Sequence, residues 1–213
     1  MRQLDLDASN AVFTRGWFRT RNLATFREFI YPEFAGKPIK YLELGVFEGM
    51  SMLWMMQRVL THPDSRAIGI DPWLCTEKIN ENEMTAVMMR AFHNVGLDRA
   101  DLATVRCNLI RGNSAELLRK AANRGGIDWL KKGTVDLSMV DGNHNALAVW
   151  DDARYVYKLL KPGGLMLFDD VENDLPKKDH VKEGVGLWLA EAGDTVKLEW
   201  KHKYMEAYRK VGQ

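Results

Sequence analysis

Hydrophobic positions along this chain alternate between short continuous runs and stretches spaced for one helical face. From Arg21 to Phe34, Leu23, Phe26, Phe29 and Ile30 recur at helical spacing, and Pro32 limits the regular turn. After Gly36-Lys37-Pro38, the run Ile39 to Leu44 predicts a buried strand, with Gly45, Gly49 and a helix over Ser51 to Leu60 behind it. Ala67 to Ile70 predicts a second strand ending in Asp71. A helix over Glu83 to Val95 follows, with Met84, Val87, Met88 and Ala91 on one face. Val105 to Ile110, Ser114 to Asn123 and Val135 to Val140 predict a third strand, its helix and a fourth strand. Leu147, Trp150, Ala153, Val156, Tyr157 and Leu160 trace the next helical face. Lys161-Pro162-Gly163-Gly164 ends that helix before a fifth strand, Leu165 to Phe168. Val196 to Trp200 and Met205 to Arg209 read as a closing antiparallel hairpin.

Five strands alternating with helices, plus a hairpin, predict an α/β three-layer sandwich around a mostly parallel seven-stranded sheet. No repeat or linker interrupts the rhythm, so residues 1–213 read as one domain. Residues 1–36 form its N-terminal arm and helix, suited to a lid or to a contact in a homo-oligomer. The Met-rich stripes read as core filling rather than a cofactor box, because methionine adapts to irregular gaps.

Composition narrows the function. Lys and Arg total 30 against 29 Asp and Glu, so no basic excess marks a nucleic-acid partner. Cys75 and Cys107 are far apart and form no CxxC pair, which suits free thiols in a reducing, cytoplasmic setting and implies no zinc site. Met1 to Asp7 lacks the apolar core of a signal peptide, and no apolar run reaches the roughly 20 residues needed to span a bilayer. A soluble protein without a membrane partner is expected.

In parallel α/β sheets, ligands bind beyond the carboxyl ends of the strands. Those ends here are Glu43-Leu44-Gly45, Asp71, Gly112-Asn113-Ser114, Asp141-Gly142-Asn143-His144 and Asp169-Asp170, so four of the five carry a carboxylate. Gly45 allows a tight turn and a close backbone approach. Glu43 occupies the first glycine position of the dinucleotide fingerprint G-x-G-x-x-G, where a carboxylate would repel a pyrophosphate but suit a cationic ligand. Asp71 is placed to accept hydrogen bonds from ribose hydroxyls, or else to cap a helix. Ser114 suits a ligand contact and a helix N-cap equally, with Glu116 in the first turn.

Glu43-x-Gly45-x-x-x-Gly49 resembles motif I of the class I S-adenosylmethionine-dependent methyltransferases, whose fold is Rossmann-like. Arg111 to Leu118 is similar to that family's third-strand element, which lies beside the adenine. Val140-Asp141-Gly142-Asn143-His144, then Val149, Asp152, Leu160-Lys161-Pro162-Gly163-Gly164 and Phe168-Asp169-Asp170, resembles the D-G-x-H … L-x-P-G-G … D-D pattern of a branch containing sugar and antibiotic O-methyltransferases. The resemblance spans Ile39 to Trp188. It implies S-adenosylmethionine as donor, held by Glu43, Gly45, Gly49, Ser51, Asp71, Trp73, Asn113, Ser114 and Asp141, and a small-molecule acceptor hydroxyl.

Three carboxylates at neighbouring strand ends would repel one another unless a cation joined them, and hard oxygen ligands suit Mg²⁺. Metal-dependent members of the branch have ligands at the positions of Asp141, Asp169 and Asp170. His144, three residues after Asp141, fits the family's base position, while Asn143 stands where some relatives have an acid. Asp141 and His144 are thus the catalytic candidates. Two blander roles stay open: Asp169-Asp170 capping a loop, and His144 bonding its own turn. Thr14-Arg15-Gly16-Trp17-Phe18-Arg19 and Pro72-Trp73-Leu74 are candidate lids.

Three other readings compete. An NAD-dependent oxidoreductase is opposed by Glu43 and by the lack of a Tyr-x-x-x-Lys pair at Tyr155. A non-catalytic S-adenosylmethionine-binding regulatory module is opposed by the intact acid cluster with His144. Nucleic-acid methylation lacks an Asn/Asp-Pro-Pro-aromatic motif.

Overall fold

The computed structural model describes residues 5–7, 10–75, 79–97, 106–124, 127–172 and 180–212. Its strands are β1 (Lys40–Leu44), β2 (Arg66–Asp71), β3 (Arg106–Arg111), β4 (Val135–Val140), β5 (Leu160–Phe168), β6 (Val196–His202) and β7 (Met205–Lys210). They form a seven-stranded sheet of order β3-β2-β1-β4-β5-β7-β6. The strands are parallel except where β7 pairs antiparallel with β5 and with β6. This is the predicted Rossmann-like α/β sheet with its C-terminal hairpin. Val105, the expected start of β3, lies outside the described residues. Among the described residues no helix is long and apolar enough to cross a membrane.

The chain divides into two compact units. The first comprises Met1–Ile39 and Val46–Arg111. Its N-terminal helical run starts earlier than the hydrophobic spacing indicates. It alternates between π-helical turns, Phe18–Asn22 and Phe26–Ile30, and short α-helical pieces, α1 (Leu23–Thr25) and α2 (Tyr31–Phe34). Phe18 and Phe26 pack against Trp54 of helix α3 (Met50–Arg58), with ring centroids 6.1 and 5.8 Å away. Every residue of α3 from Met50 to Met56 is buried, so this Met stripe is core. Helix α4 (Glu81–Leu97) begins with a reciprocal cap. The Glu83 N–H donates to Asn80 Oδ1, and the Asn80 N–H donates to Glu83 Oε2, both at 3.0 Å. Its Met84, Val87 and Ala91 are buried against Val46 and Trp73, with Met88 packed alongside.

The second unit comprises Lys40–Gly45 and Gly112–Gln213. Strand β4 is buried along its whole length between β1 and β5. Helix α6 (Ala146–Leu159) passes directly into β5. Lys161-Pro162-Gly163-Gly164 is therefore not a gap before the strand but an irregularity inside it: the register jumps from Val135↔Leu160 to Leu137↔Leu165. Asp136, opposite the irregularity, is buried, pairs with Lys161 and accepts the Lys40 N–H at 2.8 Å. Lys210 Nζ donates to the carbonyls of Tyr157 and Leu160, satisfying groups left open at the end of α6.

The buried residues of α6 are Ala146, Val149, Asp152, Ala153, Tyr155, Val156 and Leu159; of the face expected, Ala153, Val156 and the following Leu160 are buried, whereas Leu147, Trp150 and Tyr157 are not. Leu147 is 65% exposed, and Trp150 turns its indole N–H to Glu191 at 3.0 Å. Helix α7 (Val181–Ala192) was not anticipated from the pattern. It packs where Gly184 permits close approach, since a Cβ there would lie 2.5 Å from the Ala146 carbonyl oxygen. Trp188 of α7 packs against Phe168 at a tilt and edge-to-face against Tyr208, with centroids 5.3 and 5.5 Å away.

Candidate functional site

In the first unit, the turn after β1 is tied to the end of β2. Asp71 Oδ2 accepts the Val46 and Phe47 N–H groups, each at 2.9 Å, and Oδ1 accepts the Trp73 N–H at 2.7 Å. Burial pushes the Asp71 carboxyl above its usual range, and the three backbone donors pull it back part of the way. A carboxylate has about four lone-pair sites. Three are taken here, so Asp71 orders the turn. Trp73 is only 3% exposed and donates its indole N–H to the Phe47 carbonyl at 2.9 Å. It lies beneath the turn rather than forming a lid, and Leu74 beside it is the exposed residue.

Gly49, with φ +78°, ends the turn, and Ser51 is buried one residue into α3. Glu48 was not singled out by the sequence, although it sits inside the glycine turn. It is buried and accepts the Thr14 N–H at 2.8 Å, the Thr14 hydroxyl at 2.7 Å and Arg90 Nε at 2.6 Å. Asn94 Nδ2 donates to the carbonyls of Glu48 and Val12. The segment expected as a lid is thereby strapped across the turn, with Trp17 laid on Phe47 at 4.8 Å between centroids. A cavity of about 280 Å³ opens beside it, lined by Arg15, Phe47, Ile79, Val87 and Arg90 among others.

In the second unit, the ends of β1 and β4 meet. The Asp141 N–H donates to the Leu44 carbonyl at 2.9 Å, and Gly45 has φ +84°. A Cβ on Gly45 would fall 1.8 Å from the Asp141 carbonyl oxygen, so this crossing admits only glycine. Glu43 is fully buried within β1 and accepts the Tyr41 hydroxyl at 2.8 Å.

At the start of helix α5 (Ser114–Arg124), Asn113 rather than Ser114 is the cap: its Oδ1 accepts the Glu116 N–H at 3.1 Å. The Ser114 hydroxyl instead donates to Asp152 Oδ1 at 2.7 Å. Asp152 is 2% exposed, and burial raises its carboxyl to about 6, against the pull of Ser114 and with a push from the charge of Asp151. The sequence pattern contained Asp152 without indicating that it touches Ser114.

Beyond β4 and β5, Asp141, His144 and Asp170 converge, each offering a ligand atom within 4.8 Å of the others. His144 Nε2 is 4.0 Å from Asp141 Oδ1 and 3.8 Å from Asp170 Oδ2. Asp170 is buried and takes the left-handed backbone conformation (φ 57°), whereas Asp169, also buried, is outside the trio. The sequence pattern groups Asp141, Asp169 and Asp170, whereas the cluster among the described residues is Asp141, His144 and Asp170.

The sheet has an acid at the end of β2, a glycine turn after β1 and polar groups at the ends of β3 to β5. The chain belongs to the methyltransferase-domain family, whose family model matches residues 42–171. The donor implied by that family is S-adenosylmethionine. An uncharacterised protein, R132, of Acanthamoeba polyphaga mimivirus is 30% identical over 139 residues, covering 63% of this chain and 52% of the relative. The matched region thus spans about half that relative's length.

Solved structures show the same fold at low identity. A provisionally assigned O-methyltransferase of Klebsiella pneumoniae has a TM-score of 0.56 at 16% identity, covering 99% of this chain and 86% of that one. A provisionally assigned rRNA methylase of Clostridium thermocellum has a TM-score of 0.61 at 14% identity, covering 91% and 97%.

Proposed function

We propose that the protein transfers the methyl group of S-adenosylmethionine to a hydroxyl of a small molecule. The observation that carries this reading is the convergence of Asp141, His144 and Asp170 at the carboxyl ends of β4 and β5. The donor already holds a good leaving group, so the protein must orient the acceptor and remove its proton. In the transfer, the acceptor oxygen forms a bond to the methyl carbon as the carbon–sulfur bond breaks. The electron pair of that bond goes to sulfur, which becomes the neutral thioether of S-adenosylhomocysteine, and the hydroxyl proton passes to His144 Nε2. A positioned general base contributes about 10²–10⁴-fold in rate. Asp141 Oδ1 and Asp170 Oδ2 flank that nitrogen at 4.0 and 3.8 Å.

The same donor set fits a divalent ion. The carboxylates of Asp141 and Asp170 are hard oxygen ligands of the kind that hold Mg²⁺, with a ligand atom of His144 within 4.8 Å of each. A bound dication would lower the pKa of the acceptor hydroxyl. For the donor, the assigned groups are Asp71 for a ribose hydroxyl, the turn from Gly45 to Gly49, and Asn113 with Ser114. The near balance of acidic and basic residues supports a small-molecule acceptor over nucleic acid.

The test is transfer of radiolabelled methyl from S-adenosylmethionine to a panel of sugars, catechols and phenols, with Mg²⁺ or with chelator. Labelling of at least one hydroxyl acceptor, lost in His144→Ala, supports the reading. Labelling confined to amines or to RNA overturns it.

A further inference from the structure

We propose that Gly184 is a positioning residue for His144: its missing side chain sets the depth at which α7 meets α6, and through that contact the place of the imidazole. The role rests on the methyl-transfer reading above, because that reading makes His144 the base.

Glycine inside a helix costs stability relative to alanine, so the two glycines within α7 call for a reason. Gly186 has none in its surroundings, since it is exposed and a Cβ there would meet nothing within 4 Å. Gly184 is buried, and a Cβ there would lie 2.5 Å from the Ala146 carbonyl oxygen and 2.7 Å from Val149 Cβ. The nearer of those neighbours is backbone, which no change of rotamer can move aside.

Ala146 is the first residue of α6, two positions after His144. Asn145 between them is fixed at both ends. Its Oδ1 accepts the Leu147 N–H at 3.0 Å, and its own N–H donates to Asn143 Oδ1 at 2.9 Å. His144 is also held from α7: its carbonyl accepts the His180 N–H at 3.0 Å. The Gly184 N–H in turn donates to the His180 carbonyl at 3.0 Å, closing the first turn of that helix. Gly184 and His144 are thus joined by two routes, one through Ala146 and one through His180.

A methyl group at this glycine disturbs His144 whichever helix yields. The contact must open by roughly 1 Å to reach ordinary van der Waals distance. If α6 moves, Ala146 takes His144 with it. If α7 moves, His180 draws its N–H away from the His144 carbonyl. A displacement of that size at a reacting group costs up to about 10²-fold in rate. Gly184 touches no reacting atom and acts through His144 alone.

The experiment compares wild type, Gly184→Ala and Gly186→Ala, each carrying isotope-labelled histidine. The His144 imidazole resonance is assigned by its loss in His144→Ala and followed by NMR at one fixed pH. It is expected to move in Gly184→Ala and to stay in place in Gly186→Ala. With a hydroxyl acceptor, kcat of Gly184→Ala should fall about 10- to 10²-fold, while S-adenosylhomocysteine affinity stays within about twofold. A glycine that serves packing alone would lower stability and leave both the resonance and kcat per binding site unchanged, and that result overturns the proposal. So does a loss of S-adenosylhomocysteine affinity as large as the loss in kcat. If Gly184→Ala does not fold, Val149→Ile, which adds a methyl group to the same contact from α6, takes its place, and an unmoved resonance overturns the proposal equally. Absence of methyl transfer by wild type overturns the reading of His144 as base, whereas the resonance still decides whether Gly184 sets its place.

Discussion

Gly45 and Asp141 approach so closely that a methyl group on the glycine would lie 1.8 Å from the aspartate's carbonyl oxygen. The contact joins the ends of β1 and β4, where the strand order reverses and ligands of such sheets bind. Gly45→Ala must both adopt φ +84° and push this crossing apart. The expected loss is roughly 2–4 kcal/mol of unfolding free energy from strain and overpacking. Urea denaturation checks it, and a variant within 0.5 kcal/mol of wild type, roughly the scatter of neutral surface changes, would show that the turn relaxes freely.

Glu48 gathers the strap, the glycine turn and α4 into one hydrogen-bonded group. Glu48→Ala removes the acceptor for the Thr14 N–H, the Thr14 hydroxyl and Arg90, leaving the partly exposed guanidinium to be solvated by water. A loss of about 1–3 kcal/mol is expected. Tryptic cleavage after Arg15 should speed up as the segment lifts. Unchanged cleavage at that site would mean the strap is held by Trp17 on Phe47 instead.

Asp152 should make stability fall as pH rises. Its folded pKa of about 6 lies above the ordinary 3.8, so between these values the folded state holds a proton that the unfolded state has lost. The group's contribution is full below pH 3.8, declines through the window and is constant above about 6. The whole change is about 3 kcal/mol. Asp152→Asn removes the titration, so wild type should lose stability relative to the variant between pH 4 and 6. Parallel denaturation curves across that window would place the carboxyl in water.

His144→Ala should lower kcat by about 10²–10⁴-fold with little effect on S-adenosylhomocysteine affinity. Asp170→Asn should weaken Mn²⁺ binding, followed by electron paramagnetic resonance, while Asp169→Asn should affect it less, because Asp169 stands outside the trio. Equal effects of both substitutions would restore the three-aspartate arrangement expected from the sequence.

The alternating pattern of apolar runs carried most of the sheet, because β1, β2, β4 and β5 are buried on both faces and need continuous hydrophobic sequence. It failed where glycine and aromatic residues do something other than break or bury. Gly184 and Gly186 lie inside α7, and Gly184 is there for close packing against α6 rather than as a stop. Trp150 and Tyr157 shifted the apparent face of α6, though Trp150 turns its indole N–H to Glu191 and the Tyr157 ring lies under Lys210 Nζ. Gly163-Gly164 resembles a helix end but serves an irregularity opposite Asp136.

The candidate site divides in the same way. Strand-end residues are visible from sequence because their placement follows from topology alone. Which of them meet depends on backbone direction. Asp169 and Asp170 are adjacent in sequence, yet only Asp170, in its left-handed conformation, joins His144. Glu48 and Asp152 act through partners about 40 residues away, Arg90 and Ser114, and no local spacing announces such pairs.

The most direct test of the account is calorimetric titration of the purified protein with S-adenosylhomocysteine, using Asp71→Ala as control. Saturable binding in the micromolar range, lost in the control, is the predicted result. Absence of any binding heat from folded wild-type protein, with or without Mg²⁺, would contradict the assignment of this chain to S-adenosylmethionine chemistry.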